Sequence, residues 1–219
     1  MTLSERTVSE LREIPSRYPD GRSAILPMLH LAQSDEGLVT GEAMDVIGEI
    51  LDLTTAQVTA VASFYTMYRL AGAGGEHHIG VCINTMCGLL GGDAIYEEVS
   101  KRLSIGNHET SADGKFTLEK IECQAACTYA PVVTVDWEFF DQMDLVKMMD
   151  VIDRLTAGEE VVPTRGPAVR GWRATERTLA GMPDGLGDAG GGADAVMLAG
   201  LKKAHELGES APPPGEGAK

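Results

Sequence analysis

The feature that most constrains this sequence is the arrangement of its four cysteines. They form two pairs, Cys82 with Cys87 and Cys123 with Cys127, and 35 residues lie between the pairs. Each pair follows a predicted strand, so two loops at one end of a sheet can bring four thiolates together. In a reducing cytosol, two structural disulfides are a poor explanation for this pattern. The spacing therefore indicates metal binding or redox chemistry.

The residues alone leave the identity of the metal open. Four thiolates in a closed site suit tetrahedral iron or zinc. The plant-type 2Fe-2S pattern also opens with Cys-x4-Cys, which gives iron-sulfur a modest lead over zinc. A 4Fe-4S cluster, a Rieske centre and a Cys-x-x-Cys disulfide exchanger fit less well, because the cysteine spacings and histidines that they need do not occur around these pairs. Four buried cysteines without a shared ligand are the remaining alternative.

The residues around the cysteines predict an α+β chain. From about Ser4 to Leu70 the apolar spacing is helical, with helix starts at Thr40 and Thr54. A glycine-rich run at 71–75 ends this small bundle. The pattern then predicts strands at 78–82 and 116–123, a hairpin of 132–135 with 138–140, and helices at 94–103 and 143–155. This order predicts a mixed sheet.

We divide the chain into a helical domain (1–75), a cysteine-containing domain (76–162) and a tail (163–219). The tail is rich in Gly and Pro and is predicted to be extended or disordered until a partner holds it. Trp and Arg are enriched at binding hot spots, so a cluster of these residues predicts a partner contact there, and a merely solvated tail is the alternative. The cluster comprises Arg165, Arg170, Trp172, Arg173 and Arg177.

The net charge of −15 bears on the possible partners. An acidic surface of this size repels the backbone of nucleic acids and anionic membrane surfaces. The longest apolar stretches also fall short of the ~20 residues that span a bilayer, which predicts no direct membrane insertion. The first fifteen residues contain Glu5, Glu10 and Glu13 and resemble neither a signal nor a transit peptide, which predicts a cytoplasmic protein.

Two further groups of side chains have competing interpretations. His77 and His78 begin a strand near the cysteines, where they either tune a cluster through protonation or, more commonly for such histidines, lie on the surface. Phe64, Tyr65 and Tyr68 follow helical spacing and are interpreted as core, with an interface stripe as the alternative.

Three motifs together resemble a known family. They are Cys82-Ile-Asn-Thr-Met-Cys87, then Glu122-Cys-Gln-Ala-Ala-Cys127 with Ala130-Pro131-Val132, and the upstream Ala62-Ser-Phe-Tyr-Thr-Met-Tyr68. The combination is similar to the 2Fe-2S subunit of bacterial respiratory complex I, the NADH:quinone oxidoreductase. Met86 and Ala125 depart from the family pattern, but neither departure removes a cysteine.

The resemblance implies a helical N-terminal domain followed by a thioredoxin-like domain with a mixed sheet. It implies one 2Fe-2S cluster held by Cys82, Cys87, Cys123 and Cys127. It also implies electron transfer beside the flavin-bearing, NADH-oxidising subunit, with other peripheral-arm subunits as further partners, at the cytoplasmic face of the plasma membrane. No Gly-x-Gly-x-x-Gly stands between a strand and a helix, so catalysis belongs to the whole complex.

Three alternatives remain at this point. Similar subunits serve NAD-linked hydrogenases and formate dehydrogenases. A zinc-stapled interaction module has no redox role. A free-standing ferredoxin suits the acidic charge, but such a carrier does not need the helical domain and the tail.

Overall fold

The computed structural model describes residues 3–72, 74–186 and 193–210, and it divides the chain into two compact units, Met1–Ala189 and Gly190–Lys219. The helices are α1 (Glu5–Glu13), α2 (Ile25–Glu36), α3 (Gly41–Leu51), α4 (Thr55–Phe64), α5 (Thr85–Leu89), α6 (Gly92–Leu103), α7 (Leu145–Thr156), α8 (Trp172–Leu179) and α9 (Ala199–Leu207). The strands are β1 (His77–Cys82), β2 (Glu109–Thr110), β3 (Phe116–Ile121), β4 (Val133–Val135) and β5 (Glu138–Phe140).

The first four helices form a bundle whose ends are set by local chemistry. The Thr40 hydroxyl accepts a hydrogen bond from the backbone of Ala43 and caps α3. Thr54 and Gln57 form a reciprocal capping box at the start of α4. The predicted helix starts at Thr40 and Thr54 are therefore confirmed. The bundle encloses its own apolar core, which includes Leu11, Ile14, Met28, Leu29, Leu31, Ile47 and Val58.

The second half of the first unit is built on a five-stranded sheet with the order β2-β3-β1-β4-β5. Strands β1 and β3 are parallel, while the other neighbours are antiparallel. The predicted α+β class with a mixed sheet is thus confirmed. One face of the sheet packs on α6 and α7 and forms a second apolar core, which includes Ile79, Val81, Ile95, Val99, Phe116, Leu118, Met148 and Ile152.

The segment after residue 163 differs from the predicted extended tail. Residues 172–179 form helix α8, which packs on α2 within the first unit. Trp172 is only 3% exposed, and Arg177 forms an ion pair with Glu10 of α1. The sequence does not predict helix α8, because its eight residues are mostly polar and their burial depends on a helix far away in the chain.

The rest of the predicted tail, after α8, is described only in part. Residues 199–207 of the second unit form α9, whose side chains are largely exposed. The parts of the tail at 187–192 and 211–219, and position 73 of the predicted linker, lie outside the described residues. The domain boundaries at 75 and 162 stay predictions. Within the described ranges, no helix combines the length and the apolar character that crossing a bilayer needs.

Candidate metal centre

The parallel pairing of β1 and β3 brings the two cysteine pairs to one edge of the sheet. Cys82 is the last residue of β1 and stands opposite Ile121, the last residue of β3. Cys123 follows two residues later along the chain. The backbone N–H of Cys82 donates to the carbonyl of Val132, 3.1 Å away, so the segment that follows Cys127 reaches the same edge. We call the four cysteines at this edge the cysteine edge.

The first pair is buried where β1 leads through the short helix α5 to α6. Cys82 and Cys87 are each 2% exposed, and Cys87 lies in the short helix α5. The Asn84 side chain accepts a hydrogen bond from the backbone of Thr85 and starts that helix. A Cβ atom at Gly92 would lie 2.5 Å from the carbonyl oxygen of Cys82. Only glycine therefore lets α6 begin so close to the first pair.

The second pair lies in an exposed loop that the sheet holds in place. Gln124 Nε2 donates to Thr134 Oγ1 across 2.9 Å, and Gly80 of β1 leaves room for this contact because a Cβ there would overlap Thr134. Ala125 has a positive φ of 55°, and its N–H donates to Cys123 Sγ across 3.3 Å. Unlike the first pair, Cys123 and Cys127 are exposed.

The thiols influence one another electrostatically. Burial, together with the neighbouring Cys82 and Cys127, raises the pKa of Cys87 to about 11, while a backbone hydrogen bond from Val132 acts in the opposite direction. Thiolates crowded in this way repel one another. A bound cationic metal relieves that repulsion, because coordinating thiols lose their protons to it.

The chemistry of the donors, four thiols with backbone N–H groups beside two of them, suits a thiolate-bound metal or cluster. Backbone N–H groups of Val132 and Ala125 point at the sulfurs of Cys87 and Cys123, and such hydrogen bonds stabilise anionic sulfur. Within the described part of the chain, no three His, Cys, Asp or Glu side chains stand in a ligand arrangement that could hold a metal ion. The structure thus gathers the cysteines at one edge without closing them into a ligand set.

Both candidate tuning histidines are buried, so their interpretation as surface residues is wrong. His77 Nδ1 lies 2.7 Å from Asp136 Oδ2, and His78 Nε2 lies 2.9 Å from Glu119 Oε2. Burial alone would raise the pKa of Glu119, but the hydrogen bond and the charge of His78 hold that pKa below its ordinary value of 4.5. The histidines begin β1 and the cysteine edge lies at its other end, so tuning stays a prediction.

The predicted aromatic core residues divide into buried and exposed members. Tyr68 is 4% exposed and donates its hydroxyl to the carbonyl of Leu26. Phe64 is 77% exposed and Tyr65 is 40% exposed, so the core interpretation is wrong for both of these residues. Phe64 and Tyr65 line a cleft of about 590 Å³ together with Ile83 and Cys123. This cleft connects α4 to the loop of the second cysteine pair.

A buried polar cluster on α8 has no counterpart among the features predicted from the sequence. The Glu176 carboxylate is fully buried; His30 Nδ1 lies 2.5 Å away, Gln33 Nε2 donates to it across 3.0 Å, and Trp137 Nε1 donates across 3.0 Å. We call these four residues the Glu176 junction, because they join α2, α8 and the β4–β5 turn. The sequence signal that could have indicated it is the pair His30 and Gln33, which interrupt the apolar stretch 25–33 of α2.

Comparison with known proteins finds likeness in sequence and, separately, in fold. The sequence model of the family described as "Thioredoxin-like [2Fe-2S] ferredoxin" matches residues 11–156. The protein named as the E subunit of NADH-quinone oxidoreductase in Mycobacterium tuberculosis is 48% identical over 205 residues, which are 93% of this chain and 81% of the relative. Its namesake from Rickettsia conorii is 38% identical over 157 residues, which are 70% of this chain and 93% of the relative.

Among solved structures, a chain of an NAD+-reducing [NiFe]-hydrogenase in the air-oxidized state aligns with a TM-score of 0.55 at 18% identity. The alignment covers 62% of this chain and 23% of the hydrogenase chain. At this level of identity, the likeness concerns the fold alone.

Proposed function

The chain belongs to the thioredoxin-like [2Fe-2S] ferredoxin family, and from this premise we propose that it is the electron-transfer E subunit of NADH-quinone oxidoreductase, carrying one 2Fe-2S cluster. The observation that carries the proposal is the parallel pairing of β1 with β3, which brings both cysteine pairs to one edge. The relatives with that name match most of this chain, which favours this complex over a hydrogenase or a formate dehydrogenase.

Cys82, Cys87, Cys123 and Cys127 are the proposed ligands. When bound, a 2Fe-2S cluster takes up and releases one electron. The buried first pair excludes water from one side of the site, and the exposed second pair leaves the other side open to a partner. The N–H groups of the surrounding loops stabilise sulfur charge and thereby set the redox potential. This role needs no proton-transfer group and no nucleophile.

The proposed partners are the flavin-bearing, NADH-oxidising subunit and other peripheral-arm subunits of the same complex. Exposed apolar side chains beside the cysteine edge support a protein contact there, since large exposed apolar patches mark interaction sites. Leu89, two residues after Cys87, is 77% exposed, and Met86 and Leu90 are 45% and 55% exposed. We place the subunit in the cytoplasm, at the membrane face that carries the complex.

Anaerobic purification of the full chain tests the cofactor. We expect about two irons and two acid-labile sulfides per chain, with a spin-half electron paramagnetic resonance (EPR) signal after dithionite reduction. Cys→Ser variants at each of the four positions test the ligands, and we expect each one to lose or alter that signal. A colourless protein with stoichiometric zinc would instead make the chain a zinc-stapled interaction module.

Copurification tests the parent complex. We expect a tagged chain expressed in its native host to retain a flavin-containing partner and NADH-dependent quinone reduction. Recovery of NAD-linked hydrogenase or formate dehydrogenase activity with the tagged chain would contradict the proposed complex while leaving the cluster proposal intact.

A further inference from the structure

We propose that Arg165 is a positioning residue for the cluster, because its guanidinium holds two aromatic rings against the buried cysteine pair. This inference rests on the proposed function, since it concerns the surroundings of the cluster ligands. On this proposal, the segment after residue 163 supports the cluster site of its own chain. That segment was predicted to meet a partner.

The guanidinium of Arg165 is fixed by a two-pronged ion pair. Its Nε donates to Asp141 Oδ2 across 2.7 Å, and its Nη2 donates to Asp141 Oδ1 across 2.9 Å. The same planar group lies over two rings, with Cζ 4.3 Å from the centre of Phe139 and 5.4 Å from the centre of Tyr129. A planar fork that also stacks on rings is specific to arginine, because the lysine ammonium is a point charge.

The two rings belong to the wall of the candidate cluster site. Tyr129 and Phe139 are partly buried and pack against Cys82, Cys87 and Val132. Tyr129 also lies two residues after Cys127 in a single helical turn, Cys127–Tyr129. A ring that moves away from this wall would admit water to the first cysteine pair and loosen the loop of the second pair.

The backbone fixes where Arg165 stands. The N–H groups of Thr164 and Arg165 both donate to the carbonyl of Phe139, at 3.0 and 3.3 Å, and cover the edge strand β5. The next residue, Gly166, has a positive φ of 105°, and a Cβ there would overlap the Glu138 carboxylate. Alanine is strained at such a positive φ whatever room the Glu138 side chain leaves, so Gly166→Ala should displace this segment while the arginine itself stays in the sequence.

The experiment uses the full chain with its cluster, purified anaerobically, in the variants Arg165→Gln, Arg165→Lys and Gly166→Ala. Arg154→Gln is the matched control, because Arg154 pairs with Asp150 and Glu159 on the surface. The readouts are the half-life of the visible absorption under an iron chelator, the midpoint potential and the EPR g-values. The melting temperature of the iron-free chain reports folding separately.

We expect Arg165→Gln to shorten the cluster half-life about 10-fold, because loss of an outer-shell partner commonly weakens metal binding by that factor. Arg165→Lys should recover little of it, since lysine keeps the charge without the fork. Gly166→Ala should act in the same direction, and Arg154→Gln should match the wild type. Shifts of the g-values and the potential should accompany the shorter half-lives of the Arg165 variants.

A wild-type half-life with wild-type g-values in Arg165→Gln would overturn the inference and leave the cluster proposal standing. A lower melting temperature of the iron-free chain with unchanged g-values and potential would also overturn it, because Arg165 would then have a structural role alone. If Arg165→Gln does not fold, Arg165→Lys and Gly166→Ala decide by the same readouts. A wild-type chain without a 2Fe-2S cluster would fail the proposed function before any variant is compared.

Discussion

The cysteine edge and the Glu176 junction both gather polar side chains from segments that are far apart in the sequence, yet they differ in how those groups are satisfied. In the junction, the buried carboxylate of Glu176 has its partners within the chain, on His30, Gln33 and Trp137. At the cysteine edge, burial and the neighbouring Cys82 and Cys127 raise the pKa of the Cys87 thiol. A buried polar group whose hydrogen-bond partners lie within the chain indicates a structural role. A thiol whose charged form is disfavoured by its surroundings indicates a site that a bound metal completes.

Breaking the Glu176 junction should have the largest effect on folding stability. Glu176→Ala removes the carboxylate partner of His30 and Trp137 and one of the two acceptors of Gln33 Nε2. Removing one partner of a buried charge network costs about 3–5 kcal/mol. Urea denaturation of the iron-free chain measures this loss. Glu97→Ala, at an exposed position in the middle of α6, is the control. A Glu176→Ala variant as stable as the control would show that the junction contributes nothing to the free energy of unfolding.

A second change tests the close packing at the cysteine edge. Gly92→Ala places a methyl group against the carbonyl of Cys82, and we expect a loss of about 1–3 kcal/mol from overpacking, with lower iron content. Gly41→Ala is the matched control, because Gly41 also opens a helix and no atom lies within 4 Å of its added Cβ. Equal stability and iron content in both variants would contradict the tight fit.

A third prediction concerns the pH dependence of stability. The pKa of Glu119 in the folded chain lies below its ordinary value of 4.5, so its contribution is complete above pH 4.5 and is lost as the pH falls through the folded-state pKa. Glu119→Gln should remove this dependence and cost about 1 kcal/mol at neutral pH, a typical value for one hydrogen bond.

Urea midpoints between about pH 6 and pH 3 provide that measurement, because this range spans the ordinary pKa of a glutamate. Glu97→Gln serves as its control, since Glu97 is exposed. If the Glu119→Gln variant lost stability towards low pH as steeply as the wild type, other carboxyl groups would account for the dependence.

The smallest effect on folding should come from a proposed ligand. Cys123→Ser changes an exposed side chain, so the iron-free chain should keep its free energy of unfolding to within about 0.5 kcal/mol. The same variant should lose or alter the EPR signal of the cluster. A large loss of stability in the iron-free variant would mean that the cysteine edge also supports the architecture, and the comparison with the junction would fail.

The elements that the sequence predicted are those whose signals are local. The capping box at Thr54 needs only residues of its own helix, and the hairpin of β4 and β5 needs only adjacent strands. The placement of both cysteine pairs at one edge also followed from their position after strands. Helix α8 could not be predicted in this way, because Trp172 and Glu176 are buried by contacts with distant parts of the chain.

For the candidate site, the sequence indicated the cysteines themselves but not the side chains and backbone around them. The four cysteines stood out by spacing, but the need for glycine at position 92 depends on how closely α6 approaches Cys82. The buried environment of His77 and His78 depends on Asp136 and Glu119, which come from neighbouring parts of the sheet. Arg165 was predicted to contact a partner protein, whereas in the fold it forms an ion pair with Asp141.

The contact between α8 and α2 also has a consequence for synthesis on the ribosome. The bundle lies at the start of the chain, yet Ala180 belongs to its core and Glu176 stands 146 residues after His30. The nascent helical segment therefore leaves the exit tunnel before its last packing partners exist. Those partners emerge only after both cysteine pairs, so translation delivers every proposed iron ligand before the bundle can be completed.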